Sequence, residues 1–290
     1  CITSDTFDIT EPEAPLALSG ITTNNSCFGD CLGQIDITVT GGTADYSYSW
    51  TGPGGFTSTD DDLIDLCVGE YSVLVTDDNG CTISDTFEIT ELDELTVDIV
   101  LSDYNGFGVS CFGANDGFIN ITPSGGSGEY TFSWSNLETS EDVINLNAGS
   151  YTVTISDSND LSCFISETVL LIEPDPISIS FSNSNATCFE FCDGSFDVTV
   201  IGGTENYSYS WTGPSGFISD LEDPTSLCAG LYTLTVEDDN GCTESDSFEI
   251  TEPEEIVTTI EIVHPECSGY TGCVSLSSIG GTGDYGYTFY

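Results

Sequence analysis

The sequence predicts an all-β protein: a tandem array of small β-sandwich domains strung into an extended rod. Three observations predict it. Short motifs recur at a near-constant interval, apolar residues alternate with polar ones inside each interval, and turns rich in Gly, Pro and Asn-Gly punctuate the alternation.

The recurrence organises the chain. The opening CITSDTFDITEPE returns as CTISDTFEITELD from Cys81 and as CTESDSFEITEPE from Cys242. A second marker, GGTADYSYSW from Gly41, returns from Gly125, Gly202 and Gly280, at spacings of 84, 77 and 78 residues. A third, Leu-x-x-Gly-x-Tyr, runs from Leu66 to Tyr71, Leu146 to Tyr151 and Leu227 to Tyr232. These markers give the C-terminal end of a preceding repeat (1–14), three full repeats (15–94, 95–176 and 177–255) and the N-terminal part of a further one (256–290). Both ends fall inside a repeat, so the sequence reads as a piece of a longer protein. Successive repeats meet at short acidic joints: Glu11-Pro12-Glu13, Glu91-Leu92-Asp93, Glu173-Pro174-Asp175 and Glu252-Pro253-Glu254. Proline and charge stiffen such joints, which favours a semi-rigid rod.

Within a repeat, Ile35, Ile37 and Val39, then Tyr46, Tyr48 and Trp50, then Tyr71, Val73 and Val75 alternate with polar residues. Period two marks half-buried strands. Gly41-Gly42, Gly52-Pro53 and Asn79-Gly80 supply the turns between them. No stretch keeps a helical period. Several short strands in about 80 residues predict an immunoglobulin-like sandwich of two sheets. The aromatic ladders ending in Trp50, Trp134 and Trp211 read as its core, since alternation puts each set on one face. Their other reading is a sugar-stacking platform.

Composition sets the environment. The 290 residues include 50 Asp plus Glu, no Lys, no Arg and one His. No ion pair can neutralise a carboxylate, and nucleic acid and anionic membrane surfaces are excluded as partners because their binding needs basic residues. No apolar run is long enough for a membrane-spanning helix, so direct membrane insertion is not expected either. Two carboxylates about 10 Å apart repel by roughly 0.4 kcal/mol in water. Salt that shortens the Debye length from about 10 Å to about 3 Å would quiet this repulsion. Enough apolar residues remain to build cores, at 38% of the chain.

Thirteen cysteines point to an oxidising, extracellular compartment. Repeats one and three share a four-cysteine spacing, Cys27, Cys31, Cys67, Cys81 and Cys188, Cys192, Cys228, Cys242. Repeat two keeps only Cys111 and Cys163, with Asn115 and Asn147 at the other two positions. Cysteines that vanish together are partners, which predicts inner bridges Cys31–Cys67 and Cys192–Cys228. It leaves outer bridges Cys27–Cys81, Cys111–Cys163 and Cys188–Cys242 as the expected companions. Cys1, Cys267 and Cys273 would then pair beyond the sequence.

The run GG[TS], Tyr and [ST]W, followed by Leu-x-x-Gly-x-Tyr and the Asp-Asn-Gly-Cys turn at Asp78 to Cys81 and Asp239 to Cys242, resembles the SprB repeat. The middle repeat departs from it by the longer turn Asn159-Asp160-Leu161-Ser162. That family builds giant cell-surface adhesins of gliding Bacteroidetes. The resemblance implies type IX secretion, location at the cell surface (outer-membrane-attached or secreted), and a role in attachment, gliding or filament formation. It also implies surface glycans or substratum as partners of other parts of the parent protein, and lateral self-association of the rods.

Catalysis has no place to stand. His264 is alone, and neither a Ser/His/Asp triad nor a Cys/His pair can be assembled in the full repeats. Paired carboxylates are too abundant to be informative. The one cofactor with candidate ligands is calcium, which takes several carboxylate and carbonyl oxygens. The candidates are Asp77, Asp78 and Asn79, their counterparts Glu237, Asp238, Asp239 and Asn240, and the run Asp60, Asp61, Asp62. A plain Asn-Gly hairpin turn explains the first two sets without any metal, and it is the favoured reading. The expected function is a structural stalk, with a calcium- or glycan-binding repeat module as the alternative.

Overall fold

The computed structural model describes residues 5, 11, 13–264 and 271–288. Most of the segment 1–14, with Cys1 and Pro12, and the stretch holding Cys267 lie outside the described residues. Those described are almost wholly β. Repeat one carries β1 (Ala17–Thr23), β2 (Gly33–Thr40), β3 (Tyr46–Thr51), β4 (Thr57–Ser58), β5 (Leu63–Leu66), β6 (Gly69–Asp77) and β7 (Thr82–Ile89). Repeat two carries β8 (Asp93–Leu101), β9 (Gly117–Gly126), β10 (Tyr130–Trp134), β11 (Val143–Leu146), β12 (Gly149–Asp157) and β13 (Phe164–Leu171). Repeat three carries β14 (Ser178–Ser184), β15 (Gly194–Ile201), β16 (Ser208–Thr212), β17 (Ile218–Ser219), β18 (Thr225–Leu227), β19 (Gly230–Glu237) and β20 (Thr243–Ile250). A last hairpin pairs β21 (Val257–Val263) with β22 (Cys273–Ile279).

The described residues cluster into two compact units: residues 1–100, 119–143 and 150–169, and residues 101–118, 144–149 and 170–290. In the first unit, repeat one forms sheets β1-β2-β5 and β4-β3-β6-β7. Ile35 and Ile37 of β2 and Leu63 and Leu66 of β5 meet Trp50, Tyr71, Val73, Val75 and Ile89 of the other sheet. That is a β-sandwich, and it follows from the alternation: each apolar residue of a strand points inward and each polar one outward. The same unit holds β8 beside β9 and the sheet β10-β12-β13, with Trp134, Val153 and Ile155 buried.

In the second unit, repeat three repeats the plan with sheets β14-β15-β18 and β17-β16-β19-β20. Phe196 lies stacked on Trp211 with ring centroids 5.2 Å apart, above Tyr232 and Phe248. The three tryptophans are interior, and each indole N–H donates to a backbone carbonyl: Asp60, Ser140 and Leu221. Core packing therefore uses the rings that could have served a sugar.

Two features adapt the sandwich to a chain without basic residues. On the exposed faces hydroxyls pair across strands where ion pairs are usual, as in Ser72 with Thr86, Thr152 with Thr168 and Thr233 with Ser247. A carboxylate of the acidic runs ties each first sheet together: Asp62, Asp142 and Asp223 accept from the N–H of Ile37, Ile121 and Val198. The first glycine of each Gly-Gly corner is obligatory. Gly202 has φ +81°, and a Cβ there would run into the Pro176 carbonyl.

The expected joint at 94/95 falls inside β8, which already begins at Asp93. The other joints carry Pro, which has no N–H to give a ladder, whereas Glu91-Leu92-Asp93 does not. Its strand starts earlier.

Candidate functional site

Two local structures recur and concentrate the chemistry. One is the turn before the last strand of each repeat, at Asp77–Cys81, Asp157–Cys163 and Asp238–Cys242. Asp77 is buried, its Oδ1 accepting from the N–H groups of Asn79 (3.0 Å) and Cys81 (2.7 Å) and its Oδ2 from Thr43 (3.0 Å). Asp238 repeats this with Asn240, Cys242 and Thr204 at 3.0, 2.8 and 2.8 Å. Asp157 does so with Asn159 at 2.8 Å and with Ser127. Backbone N–H groups thus replace the cations this chain lacks.

Donation from Thr43 holds the Asp77 carboxyl below its ordinary range, with Cys81 and Asn79 adding to it against the effect of burial. At Asp157 burial works toward protonation but is outweighed by Ser127, Asn159 and Asp160, so its pKa is also lowered.

Asp77 and Asp238 anchor their turns. Asp78, Glu237 and Asp239 are exposed, and the Asn79 amide donates to Thr43 Oγ1. Among the described residues, Cys27, Asp160 and Cys163 form a group of metal-capable side chains, and its two sulfurs are joined to each other. Replacing Asp238 by Ala strands three backbone donors. The expected cost is about 3 kcal/mol, read as a lowered urea midpoint.

The second structure is a hook loop between the first two strands of each repeat, carrying Cys27-Phe28, Cys111-Phe112 and Cys188-Phe189. Its base is tied to the residue after the last strand: Asn25 N donates to Thr90 O, Gly108 N to Ile172 O and Ala186 N to Thr251 O. Its tip is held by the glutamate that opens each joint. Glu91, Glu173 and Glu252 accept from the N–H of Gly29, Gly113 and Glu190 at 2.7, 2.7 and 2.6 Å. These glutamates escaped the sequence reading as functional residues, although their recurrence at one register of every joint marks them.

The inner pairs Cys31–Cys67 and Cys192–Cys228 are bonded. The outer scheme is corrected. Cys27 is bonded to Cys163 and not to Cys81, and Cys111 to Cys242 and not to Cys163, while Cys81 and Cys188 are free thiols. The last strand explains why. In repeat one the hook is tied to Thr90 at the end of β7, and the turn leads into its start at Thr82. Eight residues of strand separate the two by roughly 26 Å, whereas disulfide Cα atoms lie about 4.4–6.8 Å apart. The same geometry separates Cys188 from Cys242 along β20. A hook reaches only the turn of the following repeat.

Hydrogen bonds accompany each bridge. Ser26 donates to Asp160 at 2.6 Å beside Cys27–Cys163. Asn240 donates its amide hydrogens to the carbonyls of Tyr104 and Ser110 beside Cys111–Cys242. The hydroxyls of Ser162 and Ser26 pull the Asp160 pKa down to about 2. Lowered folded-state values mean that Asp77, Asp157 and Asp160 stabilise the fold above the unfolded carboxylate pKa near 4. That contribution is lost as pH falls toward about 2. Urea midpoints are expected to drop between pH 4 and 2, with a shallower drop in Asp160→Asn.

Three regions of the chain, residues 19–55, 109–139 and 180–216, match the model of the SprB repeat. No curated protein matches the chain. Similar solved structures include Dpr2 Ig1-Ig2 in complex with DIP-Theta Ig1-Ig3, at 12% identity and TM-score 0.29, covering 81% of this chain and 98% of that one. Another is protocadherin Gamma B2 extracellular cadherin domains 3-6, at 10% identity and TM-score 0.33, covering 87% and 77%. The N-terminal four Ig domains of Dscam1 isoform 6.9 stand at 11% and 0.26, covering 81% and 73%. The SprB matches and the disulfides mark an extracellular, adhesin-like repeat segment. Among the described residues, no helix is long and apolar enough to cross a membrane.

Proposed function

From three SprB-type repeats linked in succession by disulfides, we propose that this chain is a stalk segment of a large cell-surface adhesin or filament. It holds adhesive regions of the parent protein away from the cell during surface attachment, with gliding as one form of that use. The bonding of the Cys27 and Cys111 hooks to the next repeat carries this reading. A bridge across a joint adds nothing to an independent binding module, but in a stalk it restrains the joint against bending and tension. The acidic surface keeps such rods apart at low salt and lets them approach one another in brine.

Melting in EDTA, then with sodium or calcium chloride matched in ionic strength, tests it. A stalk limited by repulsion among its 50 acidic residues is expected to gain thermal stability to a similar degree with either salt. A large rise with stoichiometric calcium and none with sodium would overturn the stalk in favour of a calcium-binding module. Binding of isolated repeats to glycans would favour a lectin.

A further inference from the structure

Among the described residues, hooks bond turns in one direction only, from one repeat to the next, and this leaves two half-sites. The turn cysteine of repeat one, Cys81, and the hook cysteine of repeat three, Cys188, are exposed free thiols. Each is built like its bonded counterparts. At the Cys81 turn, Cys81 N and Asn79 N donate to Asp77 Oδ1 and Asp77 N to Cys81 O, as Cys242, Asn240 and Asp238 do in the bonded turn. At the Cys188 hook, Thr251 N donates to Asn185 Oδ1 and Glu190 N to Glu252, as Thr90 and Gly29 donate to Asn24 and Glu91 at Cys27.

The surroundings of Cys81 supply an independent observation. Beside Cys242, Pro174, Pro176, Ile177 and Gly203 line a pocket whose remaining side is Cys111 and Phe112 of the hook. Beside Cys81, the equivalent Glu13, Pro15, Leu16 and Gly42 line a pocket together with Asp77 and Cys81. Turn, thiol and walls are already in place, so docking orders little further backbone.

We propose that Cys81 and this pocket form the docking and bonding site for the Cys-Phe hook of a preceding repeat of the same type. This rests on the tandem-array reading above. Bond formation joins the two sulfurs with loss of two protons and two electrons, which a disulfide-bearing oxidant takes up by thiol–disulfide exchange. Where such a repeat precedes repeat one, the staples form one continuous covalent chain.

The test adds a second copy of residues 177–241 ahead of Cys1, which completes the repeat to which residues 1–14 belong. Thiol-blocked, non-reducing peptide mapping is expected to find the added hook cysteine joined to Cys81, and alkylation of Cys81 to fall at least tenfold. Joining of the added hook to Cys1, or unchanged alkylation of Cys81, would overturn the proposal. The bridge within the added copy, equivalent to Cys192–Cys228, reports that it folded. Should it not fold, the unextended chain is treated with a Cys-Phe peptide activated as its thionitrobenzoate disulfide. Cys81 is expected to react at least threefold faster than with the Cys-Asp peptide, and Cys188 equally with both. Equal rates at Cys81 would overturn the proposal. The presence of Cys27–Cys163 in the same digest separates failure at Cys81 from failure of the array reading.

Discussion

Pulled between Cys27 and Cys242, the oxidised chain is expected to stop at nearly the same length with one inter-repeat bridge as with two, and this span is expected to lengthen about threefold only when both are removed. The covalent graph dictates this. From Cys27 to Cys242 force can run through Cys163 and then along 29 residues to Cys192 and 14 from Cys228. It can also run 4 residues to Cys31 and 44 from Cys67 to Cys111, then across to Cys242. Either route extends to about 160–180 Å at roughly 3.5 Å per residue. Cys27→Ser or Cys111→Ser removes one route and leaves the other.

The double variant keeps the inner bridges but must pay out the 125 residues from Cys67 to Cys192, for about 500 Å in all. Force spectroscopy reads the limiting extension directly. Bridges closed within each repeat would behave differently, because cutting the one at Cys111 would then release the 52 residues to Cys163, about 180 Å, on its own. Redundancy of this kind suits an element under tension, since a single reduced bridge does not let it yield.

The largest expected stability effect of a single substitution is Trp211→Ala. Trp211 is fully buried, stacks on Phe196, contacts Phe248 and donates to the Leu221 carbonyl. Removing a buried indole costs about 3–5 kcal/mol, and an acceptor left unpaired adds to it. A domain of this size is stable by only about 4–12 kcal/mol, so repeat three is expected to be near or past its unfolding threshold. Leu231→Ala in the neighbouring strand removes a side chain that is 62% exposed and is expected to change the urea midpoint little. The contrast separates core loss from a general effect of shortening a side chain.

Much of this was legible from residues alone. Alternation at Ile35, Ile37, Tyr71, Val73 and Val75 named the interior side of the strands because period two is a property of the strand itself. Joint loss of two cysteines in repeat two identified the inner pairs, because a bridge loses its purpose when either end is replaced. That reasoning does not extend to the cysteines that remain. It assumed that they close within a repeat, and nothing in spacing tells a closed loop from a link to the next copy. The decisive fact is the length of β7 and β20, which puts hook and turn at opposite ends of the sandwich. The turn-anchoring role of Asp77 and Asp238 was hidden for a related reason: a carboxylate that accepts three backbone donors and one that accepts none have the same sequence. Spatial arrangement alone distinguishes them.

Inter-repeat bonding is tested most directly by non-reducing peptide mapping of the native chain, thiols blocked, with a protease that cuts after acidic residues. The expected cross-linked peptides join Cys27 to Cys163 and Cys111 to Cys242, with Cys81 and Cys188 recovered as blocked thiols. Peptides joining Cys27 to Cys81, or Cys188 to Cys242, would contradict the account.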